Sequence, residues 1–167
     1  EETYYFYSIT CLSAPMLGIL SGGAFFSSLG GYNNPRSFLW CLIIGSLALV
    51  FAAPIPFSDI KWLTYCCVWL LLFVGASILP TLTGIMLNAV EESRRTTANS
   101  IATLIYNLFG YLPAPFIYGA VAEKGVGTED AIYWSRVAMG VLMAWTLITT
   151  VFIVAAFADH KKNEQKT

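Results

Sequence analysis

Residues 62 to 90 read WLTYCCVWLLLFVGASILPTLTGIMLNAV, a run of 29 residues without a Lys, Arg, Asp, Glu or His. An α-helix rises about 1.5 Å per residue, so about 20 mostly apolar residues cross the hydrocarbon of a bilayer. A Lys, Arg or Asp at the centre of such a helix costs about 2.5–3.5 kcal/mol on insertion scales. A stretch this long and free of charge is therefore read as a membrane span.

Four more charge-free windows lie on either side: Thr3–Pro35, Ser37–Ser58, Thr96–Ala122 and Val137–Ala158, of 33, 22, 27 and 22 residues. A soluble core would place charges on helix faces every few residues, whereas here charged residues make up 11% of the chain and cluster between the windows. The mean hydropathy is +0.66. The expected fold is an all-α membrane protein with five transmembrane helices, over about residues 4–29, 37–54, 60–88, 97–121 and 132–157. A charged tail follows over 159–167.

Breakers and caps mark the ends. Gly30-Gly31-Tyr32-Asn33-Asn34-Pro35 is a turn, and Pro54 and Pro56 end the second span. Ser58 and Asp59 are N-cap residues for the third span, and Pro80 kinks it. Thr128-Glu129-Asp130 is an N-cap with acids in the first turn of the fifth. In the first span, Gly18 and Gly22 form a small-xxx-small pair that lets another helix approach closely.

Lys and Arg set orientation, since cytoplasmic loops carry their excess. Arg36, Arg94, Arg95, Lys161, Lys162 and Lys166 fall on one side, against Lys61, Lys124 and Arg136 on the other. The C-terminus is expected in the cytoplasm. Tyr4, Tyr5, Tyr7, Trp40, Trp62, Tyr133 and Trp134 lie near span ends, as interfacial belts do.

Composition narrows function. A net charge of −1 says nothing about acidic partners, but there is no basic run with interleaved aromatics, and no nucleic-acid partner is expected. Cys11, Cys41, Cys66 and Cys67 match no zinc spacing and read as small hydrophobes. The lone His160 lies in the charged tail. No span interior holds an ionisable group of the kind that proton relays use. No nucleophile–base arrangement or phosphate loop is present, so neither an enzyme nor a cofactor is expected.

The fourth window is the most informative. At about 100° per residue, Tyr106, Asn99, Gly110, Thr103, Asn107, Ser100 and Tyr111 share one face, with Tyr118 falling in phase. Ile101, Leu104, Ile105, Leu108, Phe109 and Leu112 fill the other. A polar face in lipid points to a bundle interior or a water-filled path. One reading is a cavity wall built from Asn99, Thr103, Tyr106, Asn107 and Tyr111. The other is helix–helix hydrogen bonding, worth about 0.6 kcal/mol per contact. Pro113 and Pro115 bend or break the helix, as in transporters with discontinuous spans. Thr10 and Ser13 in the first span, and Tyr65 and Trp69 in the third, are further cavity candidates; close packing is the alternative for the first pair and lipid contact for the second.

Two segments resemble the major facilitator superfamily of transporters. Gly23-Ala24-Phe25-Phe26-Ser27-Ser28-Leu29-Gly30-Gly31 is similar to the loop motif repeated in each half of those proteins: Gly23 and Gly30 match. Ser27 and Ser28 stand where the family has a charged pair, and Gly31 where it has a basic residue, so a charge latch is not carried over. Glu92-Ser93-Arg94-Arg95-Thr96-Thr97-Ala98, then Asn107 to Pro115 and Gly119, is similar to the tenth loop and eleventh helix of spinster-like and organic-anion-type members. The motif residues are Gly23, Gly30, Glu92, Arg94 and Arg95.

The resemblance implies helices eight to twelve of a twelve-helix carrier, with an N-terminal half outside this sequence. A start without Met and an odd number of spans agree with a fragment. It implies transport of a small organic or lipid-like solute by alternating access, with the fourth span and parts of the first and third lining the cavity. The alternative is a non-transporting membrane subunit or scaffold of a larger complex.

Overall fold

The computed structural model describes residues 2–31, 35–127, 130–142, 151 and 155. Among these residues every regular element is helical. Helix α1 spans Glu2–Ser28, α2 Pro35–Ala52, α3 Lys61–Ser77 and α4 Leu79–Asn88. A 3₁₀ turn at Glu92–Arg94 leads into α5, Arg95–Ile105. A π-helical segment, Tyr106–Tyr111, joins α5 to α6, Pro113–Ala122. A further helix, α7, occupies residues 131–142.

Three helical runs are long and apolar enough to cross a membrane: Tyr4–Ser28, Lys61–Asn88 and Glu92–Gly125. The apolar part of α2, Leu39–Ala52, is shorter. The fifth expected span is described as far as residue 142 and at 151 and 155. Its remainder and the tail with His160 lie outside the described residues, as do Tyr32–Asn34 and Thr128-Glu129.

Large apolar side chains face outward along these helices, among them Leu12 (75% exposed), Leu104 and Phe116. That pattern is expected of surfaces meeting hydrocarbon rather than water. The buried residues are mostly small, with Phe26, Val74 and Ile78 the larger ones. α1 lies chiefly against α3 and then α4, and α2 packs against α3. Near the C-terminal end of α1, Phe26, Cys41 and Ile78 are buried together, flanked by Leu29, Ile44 and Leu82.

The α1–α3 crossing is very close. A Cβ added at Gly18 would stand 2.3 Å from the Phe73 carbonyl oxygen, and one at Gly22 would stand 2.0 Å from that of Ser77. The small-xxx-small pair is thus the point where one backbone meets the other.

Each interruption has a chemical cause. α1 stops in a Schellman motif: the Gly31 N–H donates to Phe26 O at 3.2 Å and the Gly30 N–H to Ser27 O at 3.3 Å. Gly30 has φ 97° and Gly31 φ 82°, which favour glycine. The Ser37 hydroxyl, fully buried, donates to Gly31 O at 2.8 Å and ties this turn to α2. The third span breaks at Ile78, two residues before Pro80, and α4 restarts with the proline in its first turn, where no N–H is needed.

The expected capping by Ser58 and Asp59 is not what is found. Ile60 holds the N-cap position of α3 without a side-chain bond. The Ser58 hydroxyl accepts from the Ile60 N–H at 3.2 Å, and Asp59 pairs with Arg136 instead. At the start of α7, the Asp130 carbonyl accepts the Trp134 N–H at 3.1 Å.

Candidate functional site: a polar helix face and a helix seam

The polar residues of α5 form a ladder along their own helix. The Thr103 hydroxyl donates to Asn99 O at 2.8 Å, the Asn107 amide to Thr103 O at 2.8 Å, and the Leu112 N–H to Asn107 O at 2.9 Å. The Ser100 hydroxyl donates to Thr96 O at 3.1 Å. Each side chain doubles a bond its carbonyl already makes, a pattern that loosens and bends a helix.

The last rung is the π bond, from residue i to i−5. It has a sequence cause: Pro113 has no N–H and its ring would press on the Phe109 carbonyl in an α-helix. The backbone opens by one residue ahead of it. The Leu108 carbonyl then has neither its α donor, since the Leu112 N–H is committed to Asn107, nor a π donor, since residue 113 is proline. π turns of this kind are frequent at functional sites.

The π turn also corrects the helical wheel. An extra residue shifts everything beyond it by about 100°. Tyr118 therefore turns from the Ser100 side of the polar face to the direction of Asn99. Its phenol meets the Ser135 hydroxyl of α7 at 3.4 Å.

Asn99, Thr103, Tyr106 and Asn107 are all exposed, as are Leu104, Ile105 and Leu108 on the other side; along α5 only Ala102 is buried. Tyr111 closes the π turn with its backbone, and its side chain lies outside the described set.

The other candidates meet in the α1–α3 seam. The Trp69 Nε1–H donates to the Ser13 hydroxyl at 3.1 Å, and that hydroxyl donates to Ile9 O at 2.7 Å. One turn up, Tyr65 stacks on Phe6 with ring centroids 4.4 Å apart, and Trp62 stands edge-on to both. One turn down, Trp69 stacks on Phe73 at 5.3 Å. Thr10 is 1% exposed and Thr81 fully buried, and neither hydroxyl oxygen has a partner among the described residues. Ser13 and Trp69 are thus joined directly, and Thr10 lies inside the packing.

No family model, curated protein or solved structure matches the chain.

The loop-motif residues have local roles. Gly30 is the helix stop just described, and a Cβ on Gly23 would meet nothing within 4 Å. Arg95 donates from Nε to Leu87 O at 3.1 Å, satisfying a carbonyl at the end of α4, and its Nη1 lies 3.6 Å from Glu92. Arg94 lies 3.9 Å from Glu91, both well exposed.

Sequence reasoning missed the Asp59–Arg136 ion pair and the Lys124 ammonium 5.4 Å over the Trp134 ring. Both join residues whose spacing carries no periodic signal. Among the described residues no cluster of three or more His, Cys, Asp or Glu could hold a metal ion.

Proposed function

We propose that this chain belongs to a transmembrane secondary transporter that moves a small organic or lipid-like solute by alternating access. Its spans correspond to helices eight to twelve of a twelve-helix carrier of the major facilitator kind. The observation that carries the reading is the exposed polar ladder Asn99–Thr103–Asn107 running into a π turn. In lipid such a face needs water, a solute or another helix against it. The Leu108 carbonyl adds an acceptor at the break, as discontinuous helices do in carriers. Solute contacts would be hydrogen bonds and aromatic faces, with Asn107 and Tyr106 among the residues that supply them.

Cysteine accessibility tests this. In a background with Cys11, Cys41, Cys66 and Cys67 replaced, Thr103→Cys and Asn107→Cys in membranes should react with a charged thiol reagent at least 10-fold faster than Ile101→Cys and Ile105→Cys. Asn107→Ala should lower solute flux while leaving the protein folded. Equal protection of all four positions would remove the water-filled path. It would favour the scaffold reading, in which another helix covers the polar face.

A further inference from the structure

The loop between α2 and α3, the first turn of α3 and the first turns of α7 border an open pocket of about 400 Å³. That is within the usual range for small-molecule sites, about 300–1,000 Å³. Ile55, Ile132 and Met139 form an apolar wall, Thr64 and Ser135 add hydroxyls, and Arg136 is the one charged side chain among the lining residues described.

The polar groups are partly committed in an informative way. The Thr64 hydroxyl donates to Ile60 O at 3.3 Å. The Ser135 hydroxyl meets the Tyr118 phenol at 3.4 Å; accepting from it leaves the Ser135 proton for a ligand. Arg136 is held by Asp59 through one Nη2 atom, and the Asp59 side chain is 81% exposed. Exposed pairs contribute about 0–1 kcal/mol, so another anion can replace the Asp59 carboxylate at little cost. The rest of the guanidinium fork stays available, and its planar geometry suits bidentate contact with carboxylate or phosphate oxygens.

We propose that this pocket binds an amphipathic anion, with its acidic headgroup on Arg136 and Ser135 and its chain along Ile132 and Met139. The proposal is independent of the transport reading. Asp59 is a resident counter-ion that the headgroup displaces. Lipids and free amphiphiles share this chemistry.

The test uses the full chain in phosphatidylcholine nanodiscs, with radiolabelled hexyl phosphate as the probe and empty nanodiscs as the blank. Saturable binding above the blank is expected. Arg136→Gln should weaken it at least 10-fold, and Asp59→Asn should tighten it about 3-fold by removing the competing carboxylate. Met139→Trp, which fills the apolar end and leaves Arg136 in place, should abolish binding and decides the matter if Arg136→Gln does not fold. Competition by phosphatidic acid in the disc would assign the site to bilayer lipid. Saturable binding without such competition assigns it to a free amphiphile. Binding no greater than the blank, binding unchanged by Met139→Trp, or weaker binding in Asp59→Asn would overturn the proposal.

Discussion

Gly22→Ala puts one methyl group where the chain has no room. The added Cβ would lie 2.0 Å from the Ser77 carbonyl oxygen and 2.7 Å from its Cα and carbonyl carbon. These are backbone atoms, so no rotamer change relieves them. Restoring an ordinary contact of 3.4 Å requires α1 and α3 to part by about 1.4 Å. A gap of 0.5–1 Å already forfeits about a quarter to a half of the dispersion energy of the atoms lining it. Overpacking costs about 1–3 kcal/mol when side chains can yield, so a rigid backbone contact belongs near 3 kcal/mol. Gly23→Ala is the control: nothing lies within 4 Å of its Cβ, and alanine favours a helix by up to about 1 kcal/mol over glycine. Reversible unfolding in mixed detergent–lipid micelles reads both. Gly22→Ala should lose about 3 kcal/mol, and Gly23→Ala should be neutral or stabilising. Equal effects at the two glycines would refute the close crossing, and with it the placement of α1 on α3.

Other substitutions separate local from long-range roles. Ser13→Ala removes the acceptor for the Trp69 indole and should cost about 0.6–1.7 kcal/mol, with a double-mutant cycle against Trp69→Phe showing coupling of that size. Gly30→Ala forces a side chain to φ 97° and should cost about 1–2 kcal/mol in the same unfolding assay. Pro113→Ala supplies an N–H and removes the ring, so the π turn should revert to α. Cysteine labelling beyond residue 112 should then shift phase by about 100°, while the pattern from 99 to 105 stays unchanged.

The helices were legible because lipid penalises charge so heavily that its absence marks a span. The windows around Thr3–Pro35, Trp62–Val90 and Thr96–Ala122 hold the three runs long enough to cross. Gly18 and Gly22 were legible too, because only small residues permit the approach they make. The π turn was not. Pro113 and Pro115 announced a break, but a proline disturbs the turn before it. The distortion therefore fell over Tyr106–Tyr111, where the residues give no warning. For the same reason a wheel drawn at a constant angle misses the direction of Tyr118 by about 100°, although the residue stays on the polar face. Asp59 read as a cap because acids favour helix starts, yet its charge went to Arg136, 77 residues away, a choice only tertiary structure could make. Gly30 is required by the helix stop itself, so its match to a loop motif carries less weight than its position suggested.

The two groups of polar residues are held in different ways, and this bears on what each can do. In hydrocarbon, helices gain nothing by hiding apolar surface from one another, so contact requires close backbones or polar bonds. α1 and α3 have both along their length: the Gly18 and Gly22 crossing, the Ser13–Trp69 bond and stacked rings above and below. Motion there would break all of them together. The run over α5 and α6 has polar contacts to other described elements near its ends, through Arg95 on Leu87 and Tyr118 on Ser135. Only 6% of its most apolar window is buried. Its polar side chains bond within the helix, which leaves the ladder complete before any partner arrives. A solute or a second helix that met this face would trade those local bonds for its own without uncovering a buried unpaired group. A helix face with such exchangeable bonds suits a surface that must be occupied and vacated in turn, whereas the α1–α3 seam suits a fixed support for it.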